Sequence, residues 1–130
     1  MPYKLRVARA TNDLKKIVEM YRLGLEMKLI GSFQDHDGFD GIMLGFPGSE
    51  YHLEFTEQKD HPAPIAFSPE DLLVFYVPNI DETQRLNEKM LTAGFKRVIA
   101  HNPYWDTCGS TYEDLEGFRI VLCQREWTAN

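Results

Sequence analysis

The chain repeats itself. A strand, a helix and three further strands occur between Leu5 and Thr56 and again between Leu72 and Gln124, in two copies of roughly 55 to 60 residues each. In the first copy, Leu5 to Thr11 alternates apolar and polar residues as a strand does. Asn12 or Asp13 then caps a helix, because Leu14, Ile17, Val18, Tyr21 and Leu25 recur at three- and four-residue intervals, and Gly24 is expected at its end. Met27 to Phe33, Phe39 to Phe46 and Tyr51 to Thr56 follow as strands, divided by the turn signals Asp37-Gly38 and Pro47-Gly48-Ser49. In the second copy, Leu72 to Val77 is a strand and Asp81 to Ala93 a helix that exits at Gly94. Strands are expected again at Lys96 to Ala100, Ser110 to Glu113 and Phe118 to Gln124, with Asn102 to Cys108 as a polar and aromatic loop. The aperiodic segment 58–69, with Pro62, Pro64 and Pro69, reads as a linker. The fold class is therefore α+β: one domain of two tandem βαβββ modules, residues 1–57 and 70–127. One helix covers only one face of a small sheet. The remaining faces are expected to oppose each other and form an open trough, a usual place for a small molecule.

Composition narrows the partners. The 130 residues are 43% hydrophobic and 26% charged, enough for a packed core. Fourteen Lys and Arg against twenty Asp and Glu leave a net charge of −6, so no general basic surface is available for phosphate backbones and nucleic acid is not an expected partner. No apolar run approaches the roughly 18 to 20 residues of a membrane span, and Met1 to Lys16 is polar where a secretory signal would be apolar. A cytoplasmic location without a membrane partner is expected. Cys108 and Cys123 form neither a CxxC nor a zinc pattern, and in a reducing cytosol they are expected as free thiols.

Val7 to Leu25, with Asn12-Asp13-Leu14 opening the helix and Tyr21-Arg22-Leu23-Gly24-Leu25 closing it, resembles the first module of the vicinal oxygen chelate superfamily. That superfamily includes glyoxalase I, bleomycin resistance proteins and extradiol dioxygenases. Asp114-Leu115-Glu116-Gly117 and the following Phe118 to Leu122 are similar to its aspartate, proline, aspartate, glycine turn and last strand, with Leu115 in place of the proline. Asp37-Gly38-Phe39-Asp40-Gly41, Tyr51-His52-Leu53-Glu54-Phe55 and Asn102-Pro103-Tyr104-Trp105-Asp106 resemble a bacterial glyoxalase-like subgroup, the YycE-like proteins of bacilli. The likeness spans nearly the whole chain.

The resemblance implies a divalent metal held by His, Gln or Glu on the first and last strands of each module. Mapped here, those positions are Arg6, Glu54, Leu72 and Val121. Only Glu54 offers a lone pair, and Arg6 repels a cation at close range, so no metal cofactor is expected. A one-residue slip would offer Asp71 instead of Leu72, but on the opposite sheet face. By strand parity His52, Glu54 and Thr56 share a face, which the resemblance makes the trough face, and Arg6 shares the corresponding face of the first strand. Glu54 is expected to approach the Arg6 guanidinium. The group then either fills the emptied site as an ion pair with His52 beside it, or binds a polar ligand, with Arg6 forking a carboxylate or phosphate and His52 or Glu54 moving a proton.

Tyr104, Trp105 and Asp106 are further candidates for ligand binding. The two aromatics either stack on a planar ligand or pack over a sheet edge or dimer contact. Asp35, His36, Asp37 and Asp40 lack calcium-loop spacing and read as a solvated hairpin. His61 and His101 have no partner that the sequence can place. Three readings follow: a metal-free binding protein for a small polar or aromatic molecule, preferred; a glyoxalase-type lyase or isomerase with His52 and Glu54 as acid and base, with or without a divalent metal; and a structural dimer with a closed trough. Exposed sheet edges and the family's habit imply a homodimer.

Overall fold

Apolar alternation and helical periodicity resolve into two units, Met1–Ile65 and Ala66–Asn130, in the computed structural model, which describes residues 2–129. The first unit runs β1 (Leu5–Ala10), α1 (Leu14–Leu25), β2 (Lys28–His36), β3 (Phe39–Gly45) and β4 (Tyr51–Gln58), with strand order β1-β4-β3-β2. β1 lies parallel to β4, whereas the meander β2-β3-β4 is antiparallel. The Asp13 side chain accepts from the Lys16 amide, and Glu57 from β4 accepts from the Leu14 amide at 2.8 Å. Two carboxylates thus satisfy donors that the first turn leaves open and oppose its dipole. Ile17, Tyr21 and Leu25 of α1 are buried, as are Leu44, Leu53 and Phe55 of the sheet, and the Tyr21 and Phe55 rings lie 4.8 Å apart. Each such side chain contributes about 1.5–3 kcal/mol by burial, so Phe55→Ala would cost about 3–5 kcal/mol.

The helix does not end at Gly24. It continues through Leu25, and Glu26 takes the left-handed cap conformation with φ 61°, while Gly24 is buried inside the helix. β2 is longer than its apolar run because register shifts at Leu29/Gly31 and Phe33/His36 let polar residues join the ladder. Asp37 and Gly38 both have positive φ, as the two-residue hairpin turn requires.

The second unit runs β5 (Leu72–Tyr76), α2 (Ile80–Thr92), β6 (Lys96–Val98), α3 (Tyr104–Cys108), β7 (Gly109–Glu113) and β8 (Arg119–Cys123), ordered β5-β8-β7-β6. Asn79 caps α2 by accepting from the Glu82 amide, and Asp81 and Glu82 occupy the first turn. At the far end Gly94, φ 100°, lets the Phe95 amide reach the Met90 carbonyl at 3.0 Å. Leu86, Met90, Phe95, Tyr112, Ile120 and Leu122 are buried in this unit, and the Tyr112 hydroxyl donates to Asn87 Oδ1 at 2.6 Å.

Asn102 to Cys108 is not simply a loop, because Tyr104–Cys108 forms the short helix α3, opened by Pro103 and by Asn102 Oδ1 accepting from the Tyr104 amide. Five residues are too few to show a helical period. Among the described residues no helix is long and apolar enough to cross a membrane.

Candidate functional site

β4 sends Leu53 and Phe55 into the first unit's core, so strand parity puts His52, Glu54 and Thr56 on the other sheet face. In the parallel register, Arg6 sits opposite His52 and Ala8 opposite Glu54. Arg6 is therefore the only long polar side chain of β1 beside that pair, and Ala8 leaves it room. Its Nε donates to His52 Nε2 at 2.9 Å and its Nη1 to Glu54 Oε2 at 3.3 Å. The contact expected between Glu54 and Arg6 is thus present, with His52 as a second acceptor.

The chemistry of this group follows from its donors. A guanidinium has no acceptor, so the His52 Nε2 that receives it carries a lone pair, and His52 is the neutral Nδ1–H tautomer. His52 then has only a proton to donate, unless the Arg6 contact opens. Glu54 keeps Oε1 without a hydrogen-bond partner among the described residues, and Arg6 keeps Nη2 likewise. His52 and Glu54 are brought together through Arg6 rather than bonded to each other.

The second unit repeats the register with different chemistry. Leu72 sits opposite Arg119 and Val74 opposite Val121, so Leu72 stands where Arg6 stands, Arg119 where His52 does, and Val121 where Glu54 does. Val121 is fully buried with Cys108 and Cys123, and Leu72, Val74 and Trp105 pack against them. Burial, with the neighbouring Cys108 thiol, pushes the Cys123 thiol from 9.0 up to about 12. Arg119 directs Nε and Nη2 to the same Glu113 oxygen at 3.1 and 3.0 Å.

A divalent metal does not fit these residues. One carboxylate, already engaged by a guanidinium, is the only donor at the four mapped positions, and no other group of three or more His, Cys, Asp or Glu suited to a metal occurs among the described residues.

Tyr104, Trp105 and Asp106 belong to the second unit, where its own packing engages all three. The Tyr104 hydroxyl accepts from Arg125 Nη1 at 2.7 Å, and the Tyr104 and Trp105 rings meet edge-on at 5.0 Å. Asp106 accepts from the Ala100 amide at 3.3 Å. His101, unplaced by sequence, lies 3.7 Å from Glu70. Asp35 and Asp37 are exposed hairpin residues, paired with Lys59 and His36 respectively.

Sequence reasoning missed two residues on the open face of the first unit. Gly41 has no Cβ, and the Phe33 ring occupies the place where one would stand. Lys4, two residues before Arg6, lines a cavity with it. Strand parity carried back two residues from Arg6 would have found Lys4. Phe33 required the register of β2, which its bulges obscure.

Two βαβββ units with these strand orders define the glyoxalase and bleomycin-resistance type of fold, that of the vicinal oxygen chelate superfamily. Within it the chain belongs to the YycE-like family, whose N-terminal domain matches residues 5–56 and whose C-terminal domain matches residues 70–124. It is 43% identical over 119 residues to the uncharacterised protein YycE of Bacillus subtilis (strain 168), covering 92% of this chain and 86% of that one. A crystal structure of B. subtilis YycE, a protein of unknown function, is similar at TM-score 0.89 and 42% identity, with 97% of this chain and 92% of that one covered. Glyoxalase I of Leishmania major shares the fold at TM-score 0.73 and 16% identity, over 95% and 86% of the two chains. TnmS3, an antibiotic binding protein of Streptomyces, shares it at 0.65 and 14%, over 97% and 98%.

Proposed function

We propose that the chain is a metal-free binder of a small polar or aromatic molecule, held on the open sheet face of the first unit. The observation that carries this reading is Arg6, which stands at a mapped donor position and bonds at once to His52 and Glu54. A guanidinium there excludes a cation and keeps Nη2 as a directional donor for an oxygen ligand. The fold itself serves both a catalyst and a binder, glyoxalase I and TnmS3. A lyase using His52 and Glu54 as acid and base gains less support, because Arg6 occupies the His52 lone pair and leaves Glu54 Oε1 as the group's only open proton acceptor.

Metal analysis of protein purified without chelator tests the reading, together with a thermal-shift screen of small molecules. The expected result is metal far below one equivalent and a saturable rise in melting temperature with a ligand. Zinc, nickel or manganese near one equivalent, lost in Glu54→Ala, would overturn it and put the lyase first.

The same proposal includes a homodimer and a reducing, cytoplasmic setting. Leu5 and Val7 on the edge strand β1, and Leu29 and Ile30 on the edge strand β2, are exposed apolar residues at sheet margins that otherwise invite pairing. Two adjacent unbonded thiols suit a reducing compartment. Light scattering should give twice the chain mass of 15.1 kDa, and a species of one chain mass at micromolar concentration would refute the dimer.

A further inference from the structure

In a chain of net charge −6, one cavity is cationic. It lies within the first unit, where β1 and the start of β4 meet the β3–β4 turn, and has a volume of about 440 Å³, in the range of small-molecule sites. Its eleven lining residues include Lys4, Arg6 and His52 but no Asp or Glu. With 20 acids in 130 residues, a patch of that size would carry between one and two by chance. Lys4 has no ion-pair partner among the described residues, and Arg6 retains Nη2 unspent while Glu54 engages Nη1. His52 adds no acceptor toward a ligand, since its Nε2 is taken and its Nδ1 carries the proton. Ile30, Met43 and Phe46 supply an apolar wall.

We propose that this cavity binds a small organic oxyanion, a carboxylate or phosphonate head on an apolar body, with Lys4 and Arg6 holding the head and Ile30, Met43 and Phe46 contacting the body. This rests on the small-molecule reading above and gives it a charge. The two cations perform different tasks. Lys4 is a mobile point charge that attracts the head, whereas Arg6 is fixed by two bonds and presents Nη2 in a set direction. Glu54, on the other side of the guanidinium, keeps Arg6 in place and does not line the cavity. A neutral or cationic ligand of the same shape would gain no attraction from Lys4.

The test is calorimetric titration of the full chain with benzoate and phenylphosphonate, against benzamide and benzylamine as neutral and cationic controls. At least one anion should bind saturably with one site per chain, and which one binds distinguishes the two heads. Lys4→Glu, a change at an exposed position, should weaken it by about tenfold or more, the equivalent of one charge-assisted contact, and raised salt should weaken it further. Benzamide binding as tightly as benzoate, or benzylamine binding best, would overturn the anion assignment and leave the small-molecule reading standing. Anion affinity unchanged in Lys4→Glu would overturn this cavity as the site. No binding by any of the four at millimolar concentration would overturn the inference, and the proposed function would fall with it only if the broader thermal-shift screen also found nothing.

Discussion

Removing Arg6 should harm the fold more than removing Glu54, and removing both should cost less than the sum. Arg6 is 47% exposed along its side chain and Glu54 only 12%, with 3.3 Å between the charged atoms. Two unit charges at about 4 Å attract by about 4 kcal/mol at an effective dielectric near 20, and water around the half-exposed guanidinium reduces that. Exposed pairs measure about 0.2–1 kcal/mol, while breaking a buried pair costs about 3–5 kcal/mol. This geometry lies between, so a coupling of about 1–2 kcal/mol is expected. Arg6→Ala strands a mostly buried carboxylate and takes the donor from His52 Nε2, for a loss of about 2–3 kcal/mol. Glu54→Ala leaves Arg6 partly in water and still bonded to His52, for about 1 kcal/mol. Urea unfolding of the parent, both single variants and the double variant measures all four terms, and repeating it near 1 M salt, where the screening length is about 3 Å, should shrink the coupling. Losses additive within about 0.3 kcal/mol, or a costlier Glu54→Ala, would refute the claim that Arg6 neutralises Glu54.

Two further outcomes follow from the second unit. A Cβ on Gly109 would overlap the Leu122 carbonyl oxygen and stand 3.0 Å from Cys123 Cα, so Gly109→Ala should destabilise by about 3 kcal/mol through forced separation of β7 and β8. An unchanged urea midpoint would contradict that close approach. The Cys123 thiol, raised from 9.0 to about 12, keeps its proton in the fold after the unfolded chain has lost it. Stability should therefore fall as pH rises from 9.0 toward about 12, and Cys123→Ala should flatten that alkaline slope. An identical slope in the variant would show that the thiol does not carry it.

Most of the architecture was legible because it is written in period. The apolar spacing of Leu14 to Leu25 and the alternation of Tyr51 to Thr56 fix which faces are buried, and the structure extends or trims these elements by a few residues. Local conformation was harder to read. Gly24 suggested a left-handed cap, but Glu26 adopts it, since the cost of φ 61° in a non-glycine residue is small against losing the helical packing of buried Gly24 and Leu25. The polar cluster was legible by parity alone, yet the Arg6 to His52 bond depends on the parallel register of β1 and β4, which no local pattern encodes. Trp105 illustrates the reverse: an aromatic in an apparent loop packs against Cys108, Val121 and Cys123 because a short helix turns it toward them.

The parallel seam between β1 and β4 also sets when the site comes into being. The meander β2-β3-β4 closes through short turns, but Arg6 meets His52 and Glu54 across separations of 46 and 48 residues. The entropy of closing so long a loop is recovered only once α1 and the meander present a surface, so β1 should dock late in folding. As an edge strand held by one neighbour, it should also be among the first to detach in the native state. Amide exchange along Arg6 to Ala10 would then report the opening of Arg6 from its two acceptors, and a ligand gripping that guanidinium would slow exchange there before anywhere in the meander.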